Sequence, residues 1–313
     1  QVDKVLAAVY AAATELYGIT FHPVDGMVGH APDTQVFEVR DADGSTLGLF
    51  LMDFWARPTK QGGAWMSNIV DQSTRDATLP VVTNNCNYTR TTTSISWDDV
   101  ITMFHEFGHA LHGLLSAVRY PTFSGTSVPR DYVEFPSQFN ENWAFQKEIL
   151  DKYAMHYETG EVIPEALVEK IRNSLQFNQG FATAELCAAS ILDMNWHDLT
   201  SVDGIDVVVF ENEKMKQIGL IDEIIPRYRS TYFNHIFNNS YSAGYYSYLW
   251  AEVLDKDAFE LFKEKGIFDT ATAQSFRTNV LEKGGSDEPM KLYKQFRGAD
   301  PNPEAMLKGR GLE

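Results

Sequence analysis

Apolar positions change their spacing along the chain. Val2, Val5, Leu6, Val9 and Tyr10 recur at helical intervals, so the sequence opens inside a helix. A start in mid-helix, without a capping residue or a methionine, reads as a fragment or a processed product. Gln35–Arg40 then reads as a strand (Val36, Phe37, Val39). Asp43-Gly44 supplies a hairpin turn, and Leu47–Phe54 returns as the second strand. Arg57–Gly63 reads as a loop, Ala64–Val70 as a third strand and Pro80–Cys86 as a fourth. From Trp97 onward helical periodicity takes over. Ser96 precedes Asp98-Asp99, an N-cap with acidic residues at the positive end of the dipole, for a helix running to about Val118. Further helices are expected near Glu134–Glu158, Pro164–Asn178, Ala182–Leu199, Val207–Ile218, Ser242–Lys265, Ala271–Glu282 and Met290–Phe296. No internal repeat or Pro/Gly-rich linker divides these parts. The order predicts one α+β, mostly α-helical domain over 1–313, with a helix and small sheet to about 95 and a helical part beyond.

Composition adds exclusions. At 44% hydrophobic and 22% charged, the 313 residues are ordinary globular chemistry rather than a disordered chain. The 43 acidic against 26 basic residues leave a net charge of −17, which disfavours nucleic acid and anionic membranes as partners. The longest apolar run, Leu47 to Met52, is far too short to span a bilayer. Cys86 and Cys187 form neither a disulfide framework nor a metal-type spacing, and read as two buried small side chains.

One segment carries chemistry. His105-Glu106-Phe107-Gly108-His109 is an HExxH pattern in the middle of an expected amphipathic helix flanked by Ile101, Phe104, Leu111 and Leu115. Residues four apart lie about 40° apart around a helix, so His105 and His109 present both imidazoles on one face. Two neutral imidazoles bind one zinc ion, and Glu106 then stands beside its open position as a general base and later a proton donor. A third donor is needed. His112 falls on the same face but about 10 Å along the axis from His105, too far for one ion, so it reads as a support or cleft-lining residue. An acid downstream is better placed: Asp131 and Glu134 stand at the start of another helix, and Glu134 and Glu141, seven residues apart, share a face. Spacing alone does not choose among the three.

The string His105-Glu106-Phe107-Gly108-His109-Ala110-Leu111-His112-Gly113-Leu114 closely resembles the signature of the thimet-oligopeptidase-type zinc metallopeptidases. Ser124-Gly125-Thr126 and Pro129-Arg130-Asp131-Tyr132-Val133-Glu134-Phe135-Pro136-Ser137-Gln138 resemble the bacterial dipeptidyl carboxypeptidase branch. Pro226–Ser230, His235-Ile236-Phe237 and Tyr241–Trp250 agree, and the likeness runs to Gly309–Leu312. The resemblance implies a zincin-like fold and one zinc per chain held by His105, His109 and Glu134. It implies that His235, Tyr241 and Tyr248 face the scissile carbonyl, where phenol and imidazole stabilise an oxyanion. Asp131 and Glu141 remain as supporting acids. Tyr245 and Arg130, with Arg227 and Arg229, are candidates for holding substrate.

The function expected is a peptidase that removes dipeptides from the C-terminus of short peptides. Gly63 and Ala64, at a sheet edge, would take the peptide as an added strand. An endo-oligopeptidase of the same family and a zinc- or peptide-binding module without turnover are the alternatives, and the intact Glu106 argues against the latter. Members of the family are longer, with a helical N-terminal half closing over the cleft, so a second piece completing that wall is an expected partner. Cytoplasm is the compartment the resemblance implies, without excluding periplasm or secretion.

Overall fold

The computed structural model describes residues 1–90, 94–238 and 240–312. Helix α1 (Val2–Tyr17) leads into a five-stranded sheet of β1 (Thr20–Pro23), β2 (Gln35–Arg40), β3 (Thr46–Trp55), β4 (Trp65–Val70) and β5 (Val81–Tyr88). The sheet order is β1-β2-β3-β5-β4, antiparallel except for the parallel β3–β5 pair. The expected strands and the β2–β3 hairpin are present. The added strand β1 has a mostly exposed edge sequence ending in Pro23, which hides it from an alternation search.

Helices make up the rest: α2 (Trp97–Leu114), α3 (Arg130–Glu141), α4 (Lys147–Tyr153), α5 (Glu165–Gln176), α6 (Gln179–His197), α7 (Val207–Gln217), α8 (Asn234–Phe237), α9 (Ser247–Lys265), α10 (Thr270–Asn279), α11 (Pro289–Arg297) and α12 (Glu304–Arg310). The chain is therefore α+β and mostly helical. The helix expected over Glu134–Glu158 starts earlier, at Arg130, and breaks at a 3-10 turn (Asn142–Phe145) before α4. Residues beyond Tyr153 leave the helix for a β-bridge between Met155 and Val162. The helix expected from Ser242 begins only at Ser247, because Ala243 takes a left-handed backbone (φ 52°) in the preceding turn. Among the described residues no helix is long and apolar enough to cross a membrane.

The main apolar core joins α1, the sheet, α2, α3 and α9–α11 through residues such as Phe50, Phe107, Phe139, Trp143, Phe262 and Phe276. Phe139 stacks on Phe276 at 4.2 Å and meets Trp143 edge-on at 5.1 Å. Two smaller clusters lie apart, one of Ala189, Phe233, Ile236 and Tyr245, the other of Ala188, Leu192 and Met215. Cys86 is buried as expected, but Cys187 is half-exposed on α6, so the reading of two buried thiols holds for Cys86 alone.

Helix α2 is fixed at its start by a reciprocal cap. The Asp99 amide donates to Ser96 Oγ (3.1 Å), and the Ser96 amide donates to Asp99 Oδ2 (3.0 Å). Further along, α2 crosses α3 with its backbone close. A Cβ on Gly108 would lie 2.6 Å from the Pro136 carbonyl oxygen and 2.6 Å from Ser137 Cα. Asn140 Nδ2 donates to the Phe104 carbonyl (2.7 Å) across the same crossing. Gly108→Ala should therefore force the helices apart at a cost of about 1–3 kcal/mol. A lower melting temperature together with weaker zinc uptake is expected, and a variant matching the parent in both would refute the tight crossing.

Candidate metal centre and active site

The three donors expected of a metal site converge. His105 Nε2 lies 3.2 Å and His109 Nε2 3.3 Å from Glu134 Oε2, and the three side chains offer ligand atoms within 4.8 Å of one another. The imidazole rings stand nearly perpendicular, 5.0 Å between centroids, one turn apart on α2. Donors about 2.0–2.1 Å from a tetrahedral zinc lie roughly 3.3 Å from each other, so the spacing suits that ion. Burial alone would raise the Glu134 carboxyl, but the two imidazoles outweigh it and hold it well below the usual carboxylate range. His105 shows the mirror image. Burial lowers its pKa, yet Glu134 and Glu141 together drive it well above the ordinary value.

Supporting bonds aim these donors. His105 Nδ1 lies 2.6 Å from Glu141 Oε1, a carboxylate–histidine pair that fixes the ring with Nε2 toward Glu134. Ser137 Oγ donates to Glu134 Oε2 (3.1 Å) and to the Glu134 carbonyl (2.9 Å), and the Tyr241 hydroxyl donates to Glu134 Oε1. Glu106 points into the same cleft. Its Oε2 is buried with no hydrogen-bond partner among the described residues, and burial raises its pKa above the ordinary glutamate value. A carboxylate that is desolvated and unpaired is primed to take up a proton.

One cavity of about 440 Å³ gathers most of the sequence-derived residues. His105, Glu106, His109, Arg130, Glu134, His235, Tyr241, Tyr248 and Ala64 line it, together with Trp65 and Met66 of β4. Strand β4 pairs only with β5 among the described residues, so its outer edge is open beside the metal donors. His235 and Tyr248 also wall an adjoining cavity of about 610 Å³, which Tyr245 and Arg227 line. Burial lowers the His235 pKa and keeps the ring neutral, and burial raises the phenols of Tyr241 and Tyr248, keeping both hydroxyls protonated. Tyr241 and Tyr248 stack at 5.5 Å, and the Arg130 guanidinium covers the Tyr241 ring at 4.6 Å while donating to Ser240 Oγ (2.6 Å).

Other expected residues lie elsewhere. His112 does not line the cleft: it is fully buried, neither ring nitrogen has a partner among the described residues, and burial depresses its pKa to about 3. A Cβ on its neighbour Gly113 would meet Met66, Asn68 and Val82, so the sheet lies close to this end of α2. Asp131 accepts from the Tyr246 hydroxyl (3.0 Å) and is no member of the donor group. Gly63 stands one residue outside the lining, its carbonyl accepting from Asn87 Nδ2 (2.7 Å). Tyr245 is 3% exposed and packs against Phe233 at 4.8 Å, as much core as cavity wall. Arg227 pairs with Glu185 (3.1 Å) and Arg229 with the buried Glu211.

Sequence reasoning missed Asp193 of α6. Fully buried, it accepts from the backbone amides of Ala243 and Tyr245 (2.9 Å each) and so pins the strained turn between Tyr241 and Tyr248. Nothing in the local sequence signals a partner fifty residues away. Ser137 was missed as well, although its place three residues after Glu134 on one helix was visible.

With this geometry in place, comparison with known proteins is decisive. The model of peptidase family M3 matches residues 1–312. The chain belongs to peptidase family M3. It is 45% identical over 311 residues to the dipeptidyl carboxypeptidase of Salmonella typhimurium, covering 97% of this chain and 46% of that protein. It is 38% identical over 325 residues to the oligopeptidase A of Escherichia coli, covering 99% and 47%, and 32% identical to the saccharolysin of Saccharomyces cerevisiae, covering 85% and 39%. The M3 chain thus spans about half the length of the curated relatives it matches.

The donor geometry separates two neighbouring acids. Glu134→Ala should weaken zinc binding by more than about tenfold, because it removes a donor rather than a support. Asp131→Ala should leave affinity within a factor of about two, since its carboxylate only meets Tyr246. Zinc titration with a competing chelator measures both. The reverse ranking would assign the third donor to Asp131.

Proposed function

We propose that this chain carries the active site of a zinc-dependent peptidase that acts on short peptides and releases C-terminal dipeptides. The observation that carries the reading is the meeting of His105, His109 and Glu134 with the unpaired, buried Glu106 in one cleft. Zinc held by the three donors would supply Lewis acidity, acidifying a water and polarising a carbonyl. The chain's own groups do the rest. The open edge of β4 receives the peptide by main-chain hydrogen bonds, which read no side chain and suit broad specificity. Glu106 accepts a proton from the attacking water and hands it to the leaving amine, so the carboxylate is restored as the C–N bond breaks. The neutral His235 and the Tyr248 hydroxyl donate to the oxygen that gains charge as the carbonyl becomes tetrahedral. Tyr241, engaged with Glu134, steadies a metal donor and presents its ring beside Tyr248.

Release of dipeptides, rather than internal cleavage, is supported by the higher identity to dipeptidyl carboxypeptidase than to oligopeptidase A. The endo-oligopeptidase reading differs in needing no free C-terminus. Turnover of a free-acid peptide with little turnover of its C-terminal amide supports dipeptide release, and equal turnover supports internal cleavage.

Two substitutions test the chemistry. Glu106→Gln should keep zinc stoichiometric while kcat falls by about a hundred- to ten-thousandfold, because one group serves as both base and acid. Near-parental kcat with zinc bound would remove Glu106 from the mechanism, and loss of metal would make it structural. Tyr248→Phe keeps the ring and so the packing. With a transition-state role, kcat and kcat/KM fall together by roughly a hundred- to a thousandfold at nearly constant KM. A variant with a shifted melting temperature and full turnover would return Tyr248 to the core.

A further inference from the structure

The open edge of β4 has a definite phase. The Pro80 and Tyr88 carbonyls, at the two ends of β5, accept from the amides of Leu49 (3.0 Å) and Ala56 (3.1 Å) on the β3 side. Backbone groups alternate in direction along a strand, so Val81, Thr83, Asn85 and Asn87 present theirs to β4. In the β4–β5 register Thr83 stands opposite Ser67 and Asn85 opposite Trp65. The N–H and C=O groups of Ala64 and Met66 are then the ones directed outward, and both residues line the cavity of the candidate metal donors.

Two residues further along, that register sets Gly63 opposite Asn87, but the ladder stops there. Gly63 takes a left-handed backbone (φ 85°) that turns the chain away. A Cβ on it would meet nothing within 4 Å, so the glycine answers to the backbone angle and not to crowding. The Asn87 side chain takes over from the ladder. Its Nδ2 donates to the Gln61 and Gly63 carbonyls, 2.7 Å each. Both partners are acceptors, so only the amide nitrogen serves there. The same loop is rooted upstream by Lys60, whose ammonium meets the Asp53 carboxylate (3.0 Å) and donates to the carbonyls of Asp53 (2.9 Å) and Cys86.

We infer that Asn87 is a positioning residue for the substrate backbone. By drawing the Gln61 and Gly63 carbonyls toward β5, it keeps Ala64 in phase to pair with a bound peptide. The inference rests on the proposed peptidase function, in which the peptide lies along this edge. Asn87 itself does not line the cavity and acts through the loop. Main-chain pairing away from the scissile bond is made alike in the ground state and the transition state. Weakening it therefore raises KM and leaves kcat nearly in place, the opposite signature to loss of an oxyanion donor.

Asn87→Asp keeps the shape but replaces the donor by a carboxylate that repels both carbonyls, whereas Asn87→Ala removes the clamp without repulsion. The residue is half-exposed, so neither change opens the core. With tetra-alanine as substrate of the zinc-loaded chain, KM should rise by about tenfold or more in Asn87→Asp and by less in Asn87→Ala. The turnover number should stay within a factor of about three, with zinc content and melting temperature unchanged. Parental KM in both variants overturns the inference and leaves the peptidase reading standing. So does a fall in kcat at constant KM, or a lower melting temperature with parental KM, which would give Asn87 a purely structural role. Hydrogen exchange of segment 61–66, read by mass spectrometry, does not depend on turnover. It should quicken in Asn87→Asp while the rest of the chain is unchanged, and an unchanged rate counts against the clamp. A parent chain that cleaves no peptide, although exchange reveals the clamp, would remove the proposed function and this inference with it.

Discussion

The close crossing of α2 and α3 at Gly108 is the constraint on which the metal centre depends. No side chain stands between the Gly108 backbone and the Pro136 carbonyl. The two helices can therefore approach until Glu134, half a turn before that contact, reaches the imidazoles of His105 and His109. Both helices then act as rigid mounts, because each is locked on its other side by aromatic packing in the main core. The charges brought together would be costly without partners. Glu134 is 1% exposed, and its two oxygens are met by Ser137, Tyr241 and the imidazoles. A buried charge is stable only when its lone pairs are satisfied in this way. The site is thus an electrostatically closed unit before any cation is considered, and a cation is the natural replacement for the protons between Glu134 and its histidines.

The other wall is held differently. Tyr241 packs against the small cluster of Phe233, Ile236 and Tyr245 rather than the main core, and the His235 ring meets Phe233 and Tyr245. The turn that carries Tyr241 keeps a left-handed Ala243, a conformation an alanine adopts only when its surroundings compensate. Asp193 supplies that compensation with two backbone hydrogen bonds to a buried carboxylate, each in the range of about 1.5–3 kcal/mol for a charged partner. Tyr248 bridges the two regimes, since it starts α9, whose later turns Ala251, Leu254 and Ala258 are in the main core.

How much of this could be read from the sequence follows from range. The capped start of α2 and the shared face of His105 and His109 are local, and local rules found them. Glu134 was one of three acids until family resemblance singled it out, because the choice depends on how α3 crosses α2 and not on spacing. The glycine that permits the crossing stood inside the motif, but its neighbours Pro136 and Ser137 lie almost thirty residues on. His112 misled because angular position on a helix says nothing about whether that face is covered at its level along the axis; here the ring is fully buried. Asp193 was invisible for the same reason in stronger form: its local partner His197 was legible four residues on, but the backbone amides of Ala243 and Tyr245 that it holds carry no sequence signature.

These two anchorages imply two levels of rigidity in one site. The candidate metal donors sit on α2 and α3, which share the large core, whose aromatic contacts open only with the whole domain. Tyr241 and Tyr248 pack instead against a small cluster, around a turn held by Asp193 of α6. Metal affinity and turnover then need not respond alike to the same disturbance. Binding the cation asks only that α2 and α3 stay crossed. In the proposed mechanism, transition-state stabilisation would also ask that His235 and Tyr248 keep their aim to within a fraction of an ångström, because donors for an oxyanion work by being fixed in advance. That second wall is held through Asp193 of α6, which does not line the cavity. In the proposed mechanism, the aim of these donors therefore depends on a buried carboxylate that does not line the cavity.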